Sequence, residues 1–357
     1  MIFYVAHWDW ILLESRGNLI NNIKNKKFAA ICPIENNEKL LKYYEKTIDW
    51  RINREKLFDL KSIYNLRKIL KNLPQNSTLH VFTLKSGIIF SISNFFIRKN
   101  LNVILSITGL GYLFSKNKKS LLLRTLLKPF LSLLFNYCFK KIIYQNLDDC
   151  EQFNNYSKFK NDYSIVESSG IEIKNYEIKK NINKKLKIIS ASRLLRDKGI
   201  LDFLNLSNNY IDNDIEFYLA GDLDPGNPQN ITDEELFEIK NSKNLNFIGF
   251  IDLKKELYNF DVFISLSKYE GFSRSLLEAA YSGLYVISFE NNGSKFISKF
   301  ENSLLIQQND YKTLNSAISY AKKNYKFISI NNRKFIEENY SSKNIGSKFN
   351  DIYEDLR

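Results

Sequence analysis

Short apolar runs alternate with longer helical patterns through both halves of this chain. In the first half, uninterrupted apolar runs predict strands at 2–6, 28–32, 78–82, 103–107 and 141–144. In the second half, similar runs predict strands at 186–191, 216–220, 246–250, 262–266 and 285–289. Strands that alternate with helices are typical of parallel βαβ units. The pattern therefore predicts an α/β fold with two Rossmann-like halves, each built on a parallel sheet.

Helical patterns lie between and after these strands. They cover 38–44, 57–71, 313–323 and the stretch from 333 to the C-terminus. The segment 175–185 is polar and rich in Lys and Asn, which is typical of a linker. With 357 residues the chain suits two domains that each have a core. We expect an N-terminal domain at 1–175, a C-terminal domain at 186–335 and a final helical segment at 336–357.

Composition narrows the class of protein. A hydrophobic content of 44% with 25% charged residues is that of a globular chain. Three cysteines without Cys-x-x-Cys spacing argue against a disulfide framework and favour a reducing compartment. Two histidines, outside any cluster with metal-ligand spacing, argue against a catalytic zinc or a Ser-His-Asp triad. The N-terminus reads as a buried strand, not a signal peptide, and we expect no transmembrane helix.

The net charge of +13 is concentrated in one segment. Residues 60–147 hold fourteen Lys and Arg but no Asp or Glu, so the rest of the chain sums to about −1. Seven cations frame the apolar run 121–135, in which Pro129 is expected to kink or divide a helix. They are Lys116, Lys118, Lys119, Arg124, Lys128, Lys140 and Lys141. We expect this segment to lie on an anionic membrane surface. The alternative is a core helix with solvated lysines, and no nucleic-acid-binding motif accompanies the charge.

Two carboxylates have a spacing that points to a ligand. Glu270 follows the predicted strand 262–266, and Glu278 lies where a helix begins. Gly271 lets the backbone approach a ligand closely, and the N–H groups that open a helix favour an anionic or hydroxyl-rich group. The pair is therefore placed to hold the two ends of an elongated polyol such as a nucleotide sugar.

Two cations lie at another strand exit in the same half. Arg193 lies in the exit loop, two residues after the predicted strand 186–191, and Lys198 follows before a helical run. Open α/β sheets bind ligands in the crevice outside the carboxyl ends of their strands. Arg193 and Lys198 are therefore candidates for binding an anion near the paired carboxylates.

Together these residues resemble the donor site of the retaining family 4 glycosyltransferases, which have the GT-B fold. Further matching segments are similar to a bacterial polysaccharide subgroup that handles N-acetylhexosamines. These segments are Asp9-Trp10 with Arg16, 80–85, 107–112, 144–146 with Asp148-Asp149, 221–228 and 247–249. The chain departs from that subgroup at Ser15, where a histidine is usual, and from many family members at Phe82 and Ser273, which replace a frequent histidine and proline.

The resemblance implies a metal-free reaction of a UDP-sugar bound between two facing Rossmann-like domains. Arg193 and Lys198 would bind the diphosphate, Glu278 the ribose hydroxyls, and Glu270 the C3 and C4 hydroxyls of the sugar. Backbone N–H groups of Gly271, Phe272 and Ser273 would lie beside the sugar, and Gly221 and Gly249 would border the nucleotide. Arg274 would contact the sugar or the diphosphate, or else lie on the helix surface. The acceptor hydroxyl would attack from the face that the diphosphate leaves, which retains configuration without a nucleophilic Glu270.

On the acceptor side the resemblance implies an undecaprenyl-diphosphate-linked saccharide, as in O-antigen or capsule assembly. Candidate contacts are Asp9, Arg16, Lys85, Thr108 and Gly109. The last four are expected at strand exits that face the cleft, and packing of Trp10 is the alternative to an acceptor contact by the first loop. His80 is expected to be a hydrogen-bonded core histidine. The final helix should return to the first domain, and the enzyme should associate peripherally with the inner face of the cytoplasmic membrane. The alternatives are a GT-B epimerase and a non-catalytic GT-B subunit.

Overall fold

Two parallel sheets organise the chain in the computed structural model, which divides it into two units. Unit 1 comprises Met1–Gly170 and Ser342–Arg357, and unit 2 comprises Ile171–Ser341. The units thus divide after Gly170 and after Ser341, whereas the sequence predicts a first domain that ends at 175 and a final segment that begins at 336. The structure describes residues 1–53, 55–56, 59–95, 97, 99–114, 118–179, 181–325 and 330–356, with only the backbone described for Tyr112, Lys119, Asn175 and Ile330.

Unit 1 contains a seven-stranded sheet in the order β3-β2-β1-β4-β5-β6-β7, with parallel neighbours throughout. The strands are β1 Ile2–Ala6, β2 Phe28–Cys32, β3 Lys46–Asp49, β4 Thr78–Phe82, β5 Asn102–Ile107, β6 Lys141–Tyr144 and β7 Asp162–Ile165. β1, β2 and β6 are buried along their whole length, as strands covered on both faces must be. The five predicted strands are confirmed. β3 and β7, the two edges, were not predicted because they are polar and partly exposed.

Unit 2 contains a six-stranded parallel sheet in the order β10-β9-β8-β11-β12-β13. Its strands are β8 Leu186–Ala191, β9 Ile215–Ala220, β10 Leu245–Gly249, β11 Val262–Ser265, β12 Tyr285–Phe289 and β13 Ser303–Ile306. The five predicted strands are again confirmed, and the edge strand β13 was missed. The two parallel α/β sheets confirm the predicted fold class.

Helices cover the sheets. In chain order they are α1 Asn18–Ile20, α2 Asn37–Leu41, α3 Leu60–Asn72, α4 Leu84–Asn94, α5 Lys118–Cys138, α6 Leu147–Ser157, α7 Ile200–Asn209, α8 Asp233–Asn241, α9 Leu253–Glu256, α10 Arg274–Ser282, α11 Tyr311–Asn324, α12 Ile330–Tyr340 and α13 Ser342–Glu354. Residue 57, the predicted start of the second helix, lies outside the described residues.

Two predictions about connections are corrected. The helix expected from 333 to the end is two helices, because Ser341 forms a bridge with Ile171 and the Ile171 N–H donates to the Tyr340 carbonyl, which ends α12. The expected linker at 175–185 is partly built into unit 2, because Lys179 is buried and its Nζ lies 3.0 Å from Asp261 Oδ1. Residue 180 of that segment lies outside the described residues.

The C-terminal helix α13 packs into the core of unit 1. Its Tyr353 hydroxyl lies 2.7 Å from the Tyr4 hydroxyl and 2.6 Å from His80 Nδ1, while His80 Nε2 lies 2.7 Å from Ser106 Oγ. Burial, and next the charge of Arg16, holds the pKa of His80 well below its usual range. His80 is therefore the hydrogen-bonded core histidine that the sequence predicts.

Helix α5 runs without interruption through Pro129, so the expected division of this helix is wrong. One side packs into the core through Leu131, Phe135 and Cys138. The opposite side carries large apolar side chains that are more than half exposed: Leu122, Leu126, Phe130, Leu133 and Tyr137. Contrary to expectation, Ser120–Cys138 is long and apolar enough to cross a membrane by length and composition alone. Only 17% of its most apolar stretch is buried.

The cations expected around this run differ in their surroundings. Lys118, Lys128 and Lys140 are exposed. Lys141 is buried and pairs with Asp162 at 2.7 Å, and the Arg124 guanidinium lies 5.3 Å from the centre of the Phe114 ring. Lys116 and the side chain of Lys119 lie outside the described part of the chain. Exposed cations therefore lie at the start of α5, within it and two residues after its end.

Candidate functional site

Lys198 and Glu270 meet at the carboxyl edge of the unit 2 sheet. Lys198 follows β8 and Glu270 follows β11, which are neighbouring strands. The Lys198 Nζ lies 2.7 Å from Glu270 Oε1, and the two side chains are mostly buried. The structure therefore brings together one predicted cation and one predicted acid from segments distant in sequence.

Gly199 explains why the Lys198 loop reaches β11. The short turn Arg196–Lys198 ends at Gly199, which has φ +72°. A Cβ atom at this position would lie 2.3 Å from the Leu266 carbonyl oxygen. Because only glycine avoids both the steric clash and the strained backbone, the Lys198-Gly199 sequence fixes the Lys198 loop against the exit of β11.

Arg193 is held by a carboxylate that the sequence did not single out. Arg193 Nη1 lies 2.5 Å from Asp224 Oδ2, where the Asp224 side chain is fully buried and that of Arg193 is 40% exposed. Gly221 allows the two loops to approach, since a Cβ there would lie 1.9 Å from the Ser192 carbonyl oxygen. The Gly221 N–H also donates to the Gly249 carbonyl oxygen over 2.8 Å. Gly221 and Gly249 thus lie side by side at the exits of β9 and β10.

The backbone conformation at position 249 favours glycine. Gly249 has φ +67°, and a Cβ built there has no neighbouring atom within 4 Å. Space would allow a larger residue, but the left-handed backbone favours glycine. The position beside the nucleotide that the resemblance implies for Gly249 remains a prediction.

Glu278 is a buried acid with two hydrogen-bond donors. It is 6% exposed in α10 and accepts from Arg274 Nε over 2.8 Å and from the Tyr176 hydroxyl over 2.7 Å. Both bonds end on Oε1, so among the described residues Oε2 is left for another donor. Arg274, expected either at the sugar or on the helix surface, is paired with Glu278 here. Burial, and next the charge of Glu278, raises the pKa of Tyr176 well above its usual range.

The loop that opens α10 is fixed by a segment that sequence reasoning missed. The Ser273 N–H donates to the Gly293 carbonyl oxygen over 2.9 Å, so one of the three N–H groups expected beside the sugar is already bonded. A Cβ at Gly293 would lie 2.6 Å from Glu270 Cβ. Phe272 stacks on Phe296 with ring centres 4.2 Å apart. Gly271 comes directly before Phe272 and Ser273, the two residues that these contacts hold. The missed signal was the Asn291-Asn292-Gly293 turn at the exit of β12.

In unit 1, three predicted acceptor residues follow adjacent strands. Lys85 lies in the first turn of α4 after β4, and Thr108 and Gly109 follow β5. All three are partly exposed, and Gly109 has φ +130°. Because β4 and β5 are parallel neighbours, these residues share the carboxyl edge of the sheet.

Asp9 and Arg16 are buried instead. Asp9 is 3% exposed and its Oδ2 accepts the Glu35 N–H over 3.3 Å. Arg16 lies in the π-helix Ile11–Gly17, not at a strand exit, and is 2% exposed. Its guanidinium carbon lies 4.7 Å from the Phe82 ring centre and 5.6 Å from that of Phe349. The expected position of Arg16 at a strand exit is therefore wrong, whereas a role for either residue toward the acceptor remains a prediction.

A polar cluster at the same edge was not predicted. His7 Nδ1 lies 3.0 Å from both Ser86 Oγ and Thr83 Oγ1, and Thr83 caps α4. Thr83 has φ +78° and ψ 150°, a conformation almost restricted to glycine, and such strain concentrates at functional sites. No local pattern predicted this cluster, because His7 reads as the end of the first strand.

An open cavity of about 550 Å³ lies in unit 2 next to Tyr176, the residue bonded to Glu278. It is lined by Lys174, Tyr176, Glu177, Asp252, Lys254, Lys255 and Tyr258. None of the predicted site residues lines it, but it shares Tyr176 with the Glu278 cluster. We assign the candidate site to the strand exits, because the predicted charges converge there.

Comparison with known proteins shows what this chain is similar to. The glycosyl transferases group 1 family matches residues 172–342. A Campylobacter jejuni protein named N,N'-diacetylbacillosaminyl-diphospho-undecaprenol alpha-1,3-N-acetylgalactosaminyltransferase is 26% identical over 343 residues, 89% of this chain and 88% of its own.

Solved structures share the fold over the whole chain. Sucrose-phosphate synthase from Thermosynechococcus elongatus has a TM-score of 0.77 at 16% identity, covering 100% of this chain and 99% of its own. Anabaena HepE in complex with UDP and glucose has a TM-score of 0.77 at 13% identity, covering 99% of each chain. The two sheets, the matched family and these likenesses agree. This chain is a glycosyltransferase with the GT-B fold, and its residues 172–342 match the glycosyl transferases group 1 family.

Proposed function

We propose that this enzyme transfers an N-acetylhexosamine such as GalNAc from a UDP-sugar to a lipid-linked saccharide, with retention of configuration and without a metal. The observation that carries the proposal is the convergence of Lys198 with Glu270 at the carboxyl edge of the unit 2 sheet. Glu278, bonded to Arg274 and Tyr176, supplies the second acid. Two oriented carboxylates beside fixed cations suit a ligand that carries both hydroxyl groups and a diphosphate.

In the proposed reaction the bond between the anomeric carbon and the diphosphate breaks, and negative charge builds on the leaving group. The cations Arg193 and Lys198 stabilise that charge electrostatically, because they are fixed in a partly buried site. Glu278 offers Oε2 to the ribose hydroxyls while Oε1 stays bonded to the protein. Glu270 accepts hydrogen bonds from the sugar.

Retention follows from the direction of attack. The acceptor hydroxyl oxygen bonds to the anomeric carbon on the face that the diphosphate leaves, and its proton passes to a diphosphate oxygen. Glu270 is therefore not a nucleophile, in contrast to the carboxylate of retaining glycoside hydrolases. Its oxygen is also bonded to Lys198, which lowers its nucleophilicity.

The donor sugar and the acceptor are proposed from the Campylobacter relative. Its name specifies transfer of N-acetylgalactosamine to a saccharide on diphospho-undecaprenol. A lipid-linked acceptor of this kind serves the assembly of surface polysaccharides such as O-antigen or capsule. The anionic diphosphate of the acceptor also suits the excess of cations in residues 60–147.

Such an acceptor requires the enzyme to work at a membrane surface, and α5 is the proposed contact. One side of α5 packs into the unit 1 core, and the other exposes Leu122, Leu126, Phe130, Leu133 and Tyr137. A helix anchored by one face and apolar on the other suits insertion parallel to the surface better than spanning. We therefore place the enzyme at the inner face of the cytoplasmic membrane as a peripheral protein.

A turnover assay with a panel of UDP-sugars and an undecaprenyl-diphosphate-linked saccharide tests this function. We expect UDP release that depends on the acceptor and persists with EDTA, and an α-linked product from an α-linked donor. Interconversion of UDP-sugars without acceptor would instead identify an epimerase. Binding of UDP-sugars without turnover of any acceptor that is supplied would identify a non-catalytic subunit.

A further inference from the structure

The segment that follows β9 is joined to the Arg193 loop by backbone hydrogen bonds. The Leu194 N–H donates to the Asp222 carbonyl over 2.9 Å, and the Ile231 N–H donates to the Leu194 carbonyl over 3.1 Å. The Arg196 N–H donates to the Gln229 carbonyl over 2.8 Å. Residues 222–231 and 194–196 therefore form one packed piece of structure.

Asp224 is the fixed centre of this piece. Its backbone N–H donates to Asn230 Oδ1 over 3.0 Å, and its carbonyl accepts from Asn230 Nδ2 over 2.7 Å. Its carboxylate accepts from Asn227 Nδ2 over 3.0 Å and from Arg193 Nη1 over 2.5 Å, both on Oδ2. A fully buried carboxylate is retained only when it is paired and hydrogen-bonded. Arg193 supplies the charge that allows this burial.

Arg193 is suited to serve two partners at once. A guanidinium carries five N–H donors in a rigid planar fork, whereas an ammonium is a single point charge. Among the described residues the Arg193 guanidinium is bonded through Nη1 to Asp224, and the side chain remains 40% exposed. The N–H groups on the other edge of the fork are therefore available to an anion.

We propose that Asp224 is a positioning residue that holds Arg193 by one edge, so that the other edge binds the diphosphate of the nucleotide sugar. This inference rests on the proposed function and deepens it, because it assigns the 222–231 segment a role in donor binding. It also explains why an arginine, and not a lysine, follows β8. The opposite arrangement, in which Asp224 competes with the diphosphate for Arg193, predicts the opposite effect of removing the Asp224 charge.

A double-mutant cycle on UDP affinity tests the proposal. We compare wild type, Asp224→Asn, Arg193→Ala and the double variant by isothermal titration with UDP. Asp224→Asn should weaken UDP binding about 10- to 100-fold, the worth of a charge-assisted hydrogen bond, and should add almost nothing in the Arg193→Ala background. Asp212→Asn is the matched control, because Asp212 pairs with Lys322 at 2.8 Å without a predicted role in the site, and its UDP affinity should equal that of wild type.

Arg193→Lys is the second variant, because an exposed position tolerates it even if Asp224→Asn does not fold. Lysine keeps the charge but cannot bond both partners through separate edges, so its UDP affinity should fall nearly as far as that of Arg193→Ala. Full UDP affinity of Arg193→Lys, additive losses in the double variant, or tighter binding by Asp224→Asn would overturn the proposal. Failure of wild type to bind UDP would overturn the proposed function as well, whereas UDP binding that depends on Arg193 but not on Asp224 would overturn the positioning role alone.

Discussion

The Tyr176 hydroxyl donates a hydrogen bond to Glu278 Oε1 over 2.7 Å, across 102 positions of sequence. Tyr176 is 8% exposed and Glu278 is 6% exposed, so the bond is shielded from water. Arg274 Nε donates to the same oxygen from one turn earlier in α10. Two donors on one oxygen fix the plane of the carboxylate, and the second oxygen is then directed to a ligand in one orientation.

Tyr176→Phe should therefore weaken the donor complex without stopping the reaction. Glu278 keeps its bond to Arg274, so we expect the KM for the UDP-sugar to rise about 3- to 10-fold with a smaller change in kcat. Tyr281→Phe is the matched control, because the Tyr281 hydroxyl donates to Glu337 over 2.9 Å from the same helix. Steady-state kinetics with a varied UDP-sugar concentration measures both. Equal KM values for the two variants would show that Tyr176 does not orient Glu278.

Arg193→Ala and Glu278→Ala should nearly abolish transfer while the protein remains folded. The loss for Arg193→Ala should be about 10²- to 10³-fold in turnover, because one fixed electrostatic partner of the leaving group is removed. Arg196→Ala is the control from the same loop, since Arg196 pairs with Glu235 at 2.9 Å and is partly exposed. Turnover and circular dichroism are measured together. Wild-type turnover by either site variant would remove its assigned role.

Asp197 should lower the stability of the protein at neutral pH. Burial raises the pKa of Asp197 above its ordinary value of 3.8, against the opposing charge of Lys198. Its Oδ1 is buried and, within the described part of the chain, has no hydrogen-bond partner. A raised pKa means that the folded state binds more protons than the unfolded state, so the free energy of unfolding falls as pH rises through this range.

Asp197→Asn removes that cost, and its Tm should exceed that of wild type at about pH 7. The gain should disappear below the ordinary pKa of 3.8, where the carboxyl is protonated in both states. Asp310→Asn is a contrasting control, because hydrogen bonds from Thr313 lower the pKa of Asp310. A Tm difference for Asp197→Asn that does not change with pH would contradict the electrostatic origin.

The fold was predictable because its central strands leave a strong signal. β1, β2 and β6 are buried on both faces, so each reads as an unbroken apolar run. The edge strands β3 and β7 are partly exposed and carry polar residues, so their runs resemble loops, whereas β13 is only the short run Ser303–Ile306. Ser341, which divides the last helical pattern, is set by a long-range bridge and leaves no local signal.

The candidate site likewise contains residues that a local pattern predicts and residues that it does not. Lys198, Glu270 and Glu278 could be predicted because strand exits and a helix start place them at fixed spacings. Asp224 and Tyr176 were missed because they contact Arg193 and Glu278 from distant segments, and neither Asp nor Tyr is unusual in a loop. Arg16 shows the converse, because it was predicted at a strand exit but lies in a π-helix, where it is buried against Phe82 and Phe349. Spacing along the chain identifies groups that face a ligand better than groups that position them.

Helix α5 provides the prediction for membrane binding. Leu126 and Phe130 are 62% and 65% exposed on its outer face. Transfer of one such side chain out of water is worth about 1.5–3 kcal/mol, so Leu126→Gln with Phe130→Gln should weaken binding to vesicles at least about tenfold. Phe237→Gln is the matched control, because Phe237 is 68% exposed on α8 in unit 2. Sedimentation with phosphatidylglycerol vesicles should detect the loss in the α5 variant alone.

The same variant separates membrane contact from catalysis. Its UDP affinity and its turnover of a water-soluble acceptor should equal those of wild type, while turnover of an acceptor embedded in vesicles should fall. Vesicle binding of wild type should also weaken at high salt, because Lys118 and Lys128 are exposed cations on α5. Equal loss of vesicle binding by Phe237→Gln would contradict a specific role for α5. Membrane-bound wild type that resists extraction at alkaline pH would indicate that Ser120–Cys138 spans the bilayer and does not lie on its surface.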